Sequence, residues 1–202
     1  INYCVSCHEL GYARYERTAD DIGIPHDLVS TNLIFGDALI GDLIENSMST
    51  SDAETWFGAS PPDLTLAGRV HSPDWLYTYL RSFYNDDTRP LGTNNTIYEN
   101  VGMPNVLYEL QGDVVRQCDD DGEHCELHRE DNGVMSEDEF DTAISDLTNF
   151  LYYHYNRCHI HQSIDHDHYL YIHQPKDHQN NKSNSQINQK QPSLNTNLWR
   201  FY

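Results

Sequence analysis

Five residues near the N-terminus, Cys4-Val5-Ser6-Cys7-His8, carry the spacing in this chain that commits most firmly to one chemistry. Two thiols three positions apart on a helical turn can reach the two vinyl groups of one porphyrin and form thioethers. The adjoining imidazole then lies under the iron, and C-x-x-C-H is the attachment signature of c-type haem. Competing chemistries need other company. A thioredoxin-like pair opens a helix behind a strand, and no βαβ pattern surrounds this one. A zinc site needs a second paired ligand set, and Cys118 with Cys125 lacks C-x-x-C spacing.

A haem iron needs a sixth ligand or an open position. The chain has three methionines. Met135 stands just before a capping box, where a hydrophobic staple is the ordinary use. Met48 lies in a polar Ser/Thr run. Met103 lies in Val-Gly-Met-Pro-Asn, and a stiff loop of that kind suits delivery of a thioether; alone it would read equally well as core. Beside the C-x-x-C-H motif, Met103 is the expected distal ligand. Cys118 and Cys125 flank an acidic run and are expected to pair in an oxidising compartment, with two free thiols as the alternative. Asp119–Glu130 does not make a calcium loop, since its glycine falls at the wrong position. His124 and His128 lack a supporting ligand set and read as surface histidines. The histidines of the last fifty residues, His159, His161, His166 and His168 among them, could at most bind metal adventitiously.

The elements that must position these residues are mainly helical. The strongest signal is a helix over 136–153, opened by a Ser136/Glu139 capping box, with Phe140, Ala143, Ile144, Leu147, Phe150 and Leu151 at helical spacing. A second covers 73–84, with Ser72 as N-cap, Pro73 in the first turn, and Leu76, Tyr79, Leu80 and Phe83 along one face. A third is expected around 2–15, carrying the haem motif. Between them, 57–68 and 85–105 are rich in Gly, Pro and Asn, and loops this long in a compact domain are usually wrapped around something. Strand signals are weak.

Composition divides the chain. Of its 202 residues, 32 are acidic and 12 basic, a formal charge of −20. Residues 1–153 hold all 11 glycines, 29 of the acids and seven arginines without a lysine. Such a charge argues against nucleic acid and anionic membrane surfaces and for a basic partner or a Ca²⁺-rich setting. Residues 154–202 are rich in His, Asn and Gln; Val, Ala, Asp, Glu and Gly, all encoded by codons beginning with G, fall to three of the last 49. A polar disordered tail would read this way; so would a shifted reading frame, which we take as the expectation, with Cys158 then incidental. No run of 18 apolar residues exists to span a membrane. Beginning at Ile1, the chain is expected to have lost a leader or upstream segment.

Four blocks together resemble cytochrome c1, in the style of its proteobacterial members. They are Asn2-Tyr3-Cys4-Val5-Ser6-Cys7-His8-Glu9-Leu10 with Tyr12, Arg14 and Tyr15; Pro61-Pro62-Asp63-Leu64-Thr65-Leu66 with Arg69 and Asp74-Trp75-Leu76-Tyr77-Thr78-Tyr79-Leu80; Gly102-Met103-Pro104-Asn105-Val106-Leu107 with Glu109-Leu110-Gln111-Gly112; and Asp146-Leu147-Thr148-Asn149-Phe150-Leu151. The resemblance covers nearly all of 1–153. It implies a cytochrome c-like fold with long haem-wrapping loops and one covalent haem c on Cys4 and Cys7, with His8 proximal and Met103 distal. Arg69 would pair with a haem propionate, the alternative being a plain surface charge, and Pro61 and Pro62 would wall the pocket. It further implies a redox subunit of the quinol–cytochrome c oxidoreductase (bc1) complex, on the periplasmic side of the bacterial inner membrane. Electrons would pass from the Rieske iron–sulfur protein to a basic soluble cytochrome c, beside cytochrome b. The family's C-terminal membrane helix is replaced here by the polar tail. A soluble periplasmic c-type carrier, or a fragment without function, are the other expectations the sequence leaves open.

Overall fold

The computed structural model describes residues 3–159, apart from Glu123 and Asn132. The polar tail beyond His159, with its histidines, lies outside the described residues, as do Asn2 of the haem motif block and the side chain of Cys158.

Helices dominate, as the sequence predicts. The longest, which closes the order as α7, covers Glu137–His159. Ser136 caps it reciprocally: its backbone N–H donates to Glu139 Oε2 at 2.9 Å, and its Oγ accepts from the Glu139 N–H at 3.4 Å. That places one carboxylate over the exposed amides of the first turn, where the helix dipole favours it. Phe140, Ile144 and Leu151 are buried along one face, with Thr148 and His154 beside them. The helix therefore runs through the compositional boundary at 153, and His154 is part of its buried face.

Ahead of it, α1 covers Tyr15–Ile22, α2 His26–Asn32, α3 Thr50–Phe57 and α4 Ala67–Val70. The next helix, α5, spans Pro73–Arg81, with Ser72 Oγ accepting from the Trp75 N–H at 3.2 Å. It stops three residues short of the predicted end because Phe83–Asn85 is drawn into a strand. The short α6 covers Tyr108–Gln111. α7 packs on α4 and α5, and the Arg81 guanidinium bridges α5 to Asp141 on α7 at 2.6 Å.

The third predicted helix is the clearest difference. Only residues 4–8 close a helical turn, with the His8 N–H donating to the Cys4 carbonyl at 2.8 Å. From Leu10 to Arg14 the chain is strand β1, paired irregularly with β2 at Leu43–Ile44. The competing interaction is on its other side. The Gly11 N–H donates to Asp63 Oδ2 at 3.0 Å, the Tyr12 N–H to Thr65 Oγ1 at 3.3 Å, and the Glu9 carbonyl accepts from the Leu64 N–H at 2.7 Å. Tertiary pairing thus consumes the groups a helix would have used internally. Two further antiparallel pairs exist among the described residues: β3 Phe83–Asn85 with β4 Thr93–Asn95, and β5 Val114–Cys118 with β6 Cys125–Arg129.

Two apolar clusters hold the unit together. One joins Leu10, Ala13, Tyr15, Ala19, Val29 and Ile44, with Val5 and Phe150 packed against it. The other joins Leu80, Leu107, Phe140 and Ile144, with Tyr3, Tyr79, Val106 and Met135 against it. Each fully buried Val, Leu, Ile or Phe among them stabilises the fold by roughly 1.5–3 kcal/mol. Met135 thus does the stapling work expected of it. The β5–β6 hairpin leaves and rejoins the body between Gly112 and Gly133, whose backbones press together: a Cβ on Gly133 would lie 2.6 Å from the Gly112 nitrogen.

Candidate haem site

The helical turn of residues 4–8 puts both thiols and the imidazole on one short stretch of backbone. Cys4 and Cys7 are unpaired with each other and half-buried. Burial pushes the Cys4 thiol above its ordinary value. Asn46 fixes the turn from outside by donating its Nδ2 to the Cys7 carbonyl at 3.0 Å. His8 is held from the far side, its Nδ1 lying 2.8 Å from the Pro62 carbonyl oxygen. A carbonyl only accepts, so Nδ1 carries the proton and Nε2 keeps its lone pair. Burial also lowers the imidazole's pKa, against the smaller opposing pull of the Pro62 bond. Burial favours the neutral imidazole and the Pro62 bond decides which nitrogen carries its proton, leaving the outer nitrogen available as a metal-ligating histidine requires.

The Pro61–Leu66 segment therefore does more than stand near the site. Its Pro62 carbonyl orients His8, and its Asp63 and Thr65 tie it to the strand that follows the motif. Pro61 is half-buried and Pro62 exposed, so the contact recorded for Pro62 is through its carbonyl.

Met103 is half-buried in the loop between β4 and α6, anchored by buried Val101 and Leu107 on either side. Its Sδ accepts from the Tyr79 hydroxyl at 3.4 Å. Tyr79 belongs to a file of aromatic rings along α5. His71 stacks on Trp75 at 3.7 Å, Trp75 on Tyr79 at 4.8 Å, and Phe83 meets Tyr79 edge-on at 5.2 Å. Burial in this file pushes the Tyr79 phenol up to about 12, so it stays a proton donor at neutral pH.

Sequence reasoning missed what holds this loop. Asn95, 1% exposed, donates Nδ2 to the Tyr79 carbonyl at 2.8 Å and accepts at Oδ1 from the Ile97 and Tyr98 N–H groups at 2.9 and 3.2 Å. Asn94 Oδ1 accepts from the Asn100 N–H at 2.9 Å. Arg89 clamps Asn100 through its side-chain and backbone oxygens at 3.0 and 3.2 Å, and Asn100 takes a positive φ of 61°. Asparagine suits these roles, since its side chain both donates and accepts and tolerates the left-handed region. The only trace in the sequence is the Asn94-Asn95 pair within a long polar stretch. Gly102 lies against α3, where a Cβ would come 2.8 Å from the Phe57 carbonyl oxygen.

Cys4, Cys7, His8 and Pro62 are thus brought together directly, while Met103 is positioned by a separate part of the chain. The two halves share an apolar base: Tyr3, which precedes Cys4, and Tyr79, which holds Met103, pack against the same cluster. Arg69 sits in the last turn of α4 and is exposed. Cys118 and Cys125, opposite each other across β5 and β6, are joined as a disulfide. Among the described residues no group of three or more His, Cys, Asp or Glu could hold a metal ion. No helix there is long and apolar enough to cross a membrane.

The donor set fits a covalent haem: two unpaired, half-buried thiols, a neutral imidazole with one nitrogen committed to a carbonyl, and a thioether. No family model matches the chain. It is 49% identical over 159 residues to cytochrome c1 of Allochromatium vinosum, covering 76% of this chain and 65% of that protein. It is 39% identical over 153 residues to the ammonia monooxygenase gamma subunit of Nitrosomonas europaea, covering 76% of this chain and 63% of that one. The chain spans a little under two thirds of the length of both relatives. The resemblance to cytochrome c1 therefore extends well beyond the four blocks, and with it the mainly helical, cytochrome c-like fold.

Proposed function

We propose, with kinship to cytochrome c1 as the premise, that the chain is an electron-transfer subunit carrying one covalent haem c. The observation that carries this is the imidazole of His8, fixed by the Pro62 carbonyl at 2.8 Å one residue after the second of two thiols on a helical turn. Bound there, the haem supplies a one-electron iron couple. Everything else falls to the chain. Cys4 and Cys7 hold the macrocycle by thioethers. The Pro62 carbonyl keeps His8 in one tautomer and orientation, which raises its basicity toward a metal. Met103 would offer its sulfur to the iron from a loop held by Tyr79, Asn95 and Asn100. The aromatic file of α5 and the cluster under Tyr3 supply apolar walls that exclude water, which favours the reduced state. Arg69 would pair with a propionate, and Pro61 and Pro62 would border the pocket.

The electron would arrive from a Rieske iron–sulfur protein and leave to a basic soluble cytochrome c, within a bc1 complex containing cytochrome b on the periplasmic side of the inner membrane. Support for the acceptor's charge comes from the 29 acids against seven arginines in residues 1–153. Small, short-lived electron-transfer encounters depend on such fields more than on contact area.

Co-expression with a cytochrome c maturation system tests this reading, followed by a haem stain on a denaturing gel and reduced and oxidised spectra. The expected result is a stained band, lost in the Cys4→Ala/Cys7→Ala double variant, and a far-red sulfur–iron band lost in Met103→Leu. A parent chain that matures without covalent haem overturns the proposal. Covalent haem without the far-red band removes Met103 from it.

A further inference from the structure

The haem reading assigns Met103 but leaves unexplained why a phenol points at its sulfur. Tyr79 is fixed on three counts. Its ring lies parallel to Trp75, 4.8 Å away and 8° out of plane, and is met edge-on by Phe83 at 5.2 Å. Its carbonyl is taken by buried Asn95 at 2.8 Å, in the strand that leads into the Met103 loop. Its hydroxyl is 3.4 Å from the sulfur and spans 24 residues of sequence to reach it. A thioether sulfur has two lone pairs, so one can accept this hydrogen bond while the other faces a metal.

We propose that Tyr79 is a positioning residue for Met103: its hydroxyl selects the sulfur lone pair that is left for the iron, and by drawing density from the sulfur it favours the reduced state. This rests on the haem reading above. A donor on the sulfur weakens it as a ligand to the more positive iron, so removing the donor stabilises oxidised protein relative to reduced. It also frees the Met103 side chain to rotate, so that a competing ligand displaces it more easily.

The test uses the full haem-loaded chain and its Tyr79→Phe variant, which keeps the ring and loses only the hydroxyl. Covalent haem and the far-red sulfur–iron band are expected in both. At fixed applied potential the ratio of reduced to oxidised protein should fall about fivefold in the variant, the size of one neutral hydrogen bond. Added imidazole should displace the sulfur at lower concentration. Thr142→Ala, which removes an exposed hydroxyl bonded only to the Asp138 carbonyl of its own helix α7, should leave the ratio within about twofold of the parent. In the reduced parent, NMR should show a Tyr79 hydroxyl proton with a cross-peak to the Met103 methyl, a readout that does not depend on any variant folding. An unchanged ratio and imidazole affinity in Tyr79→Phe, or no such cross-peak, overturns the proposal. A parent with covalent haem but no far-red band overturns it by another route, through the Met103 assignment, and the two failures are told apart by the parent spectrum alone.

Discussion

Asn95→Ala should be among the most damaging single substitutions outside the haem motif, although the residue touches no cysteine, histidine or methionine of the site. Its side chain makes three hydrogen bonds, to the Tyr79 carbonyl at 2.8 Å and from the Ile97 and Tyr98 amides at 2.9 and 3.2 Å, and the residue is 1% exposed. At about 1 kcal/mol net for each bond, truncation costs about 3 kcal/mol, before any further penalty for polar groups left dry. That is a large share of the roughly 5–15 kcal/mol that holds an ordinary domain together. For a domain of this size it corresponds to about 6–12 °C in Tm. Asn46→Ala is the matched comparison: it removes two hydrogen bonds, to the Cys7 carbonyl and from the Met48 amide, from a half-buried side chain, and should cost about 2 kcal/mol. Urea denaturation of the haem-loaded parent and both variants, followed by far-UV circular dichroism, reads the difference directly. A loss for Asn95→Ala of under about 0.5 kcal/mol, or one equal to that of Asn46→Ala, would refute the bond-by-bond reasoning.

Four further outcomes follow from other parts of the molecule. Gly102→Ala should push the Met103 loop off the C-terminal end of α3, because its Cβ would lie 2.8 Å from a backbone oxygen; the far-red sulfur–iron band should weaken while the haem stain persists. Reducing the Cys118–Cys125 disulfide should lower stability by about 2–3 kcal/mol on loop-closure grounds, measured by denaturation with and without reductant. Ser136→Ala should cost about 1 kcal/mol by removing the capping box of α7. The same box gives a pH signature, since the Ser136 amide and hydroxyl hold the Glu139 carboxyl below its ordinary pKa. A depressed carboxyl contributes stability above its unfolded pKa and loses it as pH falls through the folded value. The advantage of the parent over Glu139→Gln should therefore be full at neutral pH and vanish in the acid range below pH ~4; an advantage that persists there counts against the box.

Where local chemistry decided the outcome, the sequence was a good guide. The Ser136/Glu139 and Ser72/Pro73 signals each needed only a few neighbouring residues, and α7 and α5 begin where they predict. The pentapeptide likewise encodes its own turn. Where partners came from far along the chain, the sequence misled. Leu10–Arg14 had helix-compatible residues but is a strand, because Asp63 and Thr65, over fifty positions away, claim its amides. The end of α5 was overrun for the same reason, since β4 pulls Phe83 into a ladder. Around the haem site, Cys4, Cys7, His8 and Met103 could be named by type and spacing. Pro62 acts through a backbone carbonyl, which no side-chain pattern announces, and Tyr79 looked like one more apolar position on a helix face. Asn94 and Asn95 sat in a stretch expected to be loop, and their network shows only when the backbone they bind is in place.

The pressed backbones of Gly112 and Gly133 bear on how such a chain can change over time. The hairpin between them, closed by its own disulfide, leaves and rejoins the body at a single point. The Gly133 N–H donates to the Gln111 carbonyl at 3.3 Å, and the Val134 and Met135 N–H groups to the carbonyls of Glu109 and Leu110 at 2.9 and 3.2 Å. The path from α6 to α7 is thus already spliced without the hairpin. The base of the hairpin is tied to the body by Asn85 on Asp113 and by Arg129 on the Met135 carbonyl, whereas length gained or lost at its far end, around the Cys118–Cys125 disulfide, leaves that splice in place. The hairpin's outer half is a graft, free to vary in size and charge while the haem-holding body keeps its dimensions.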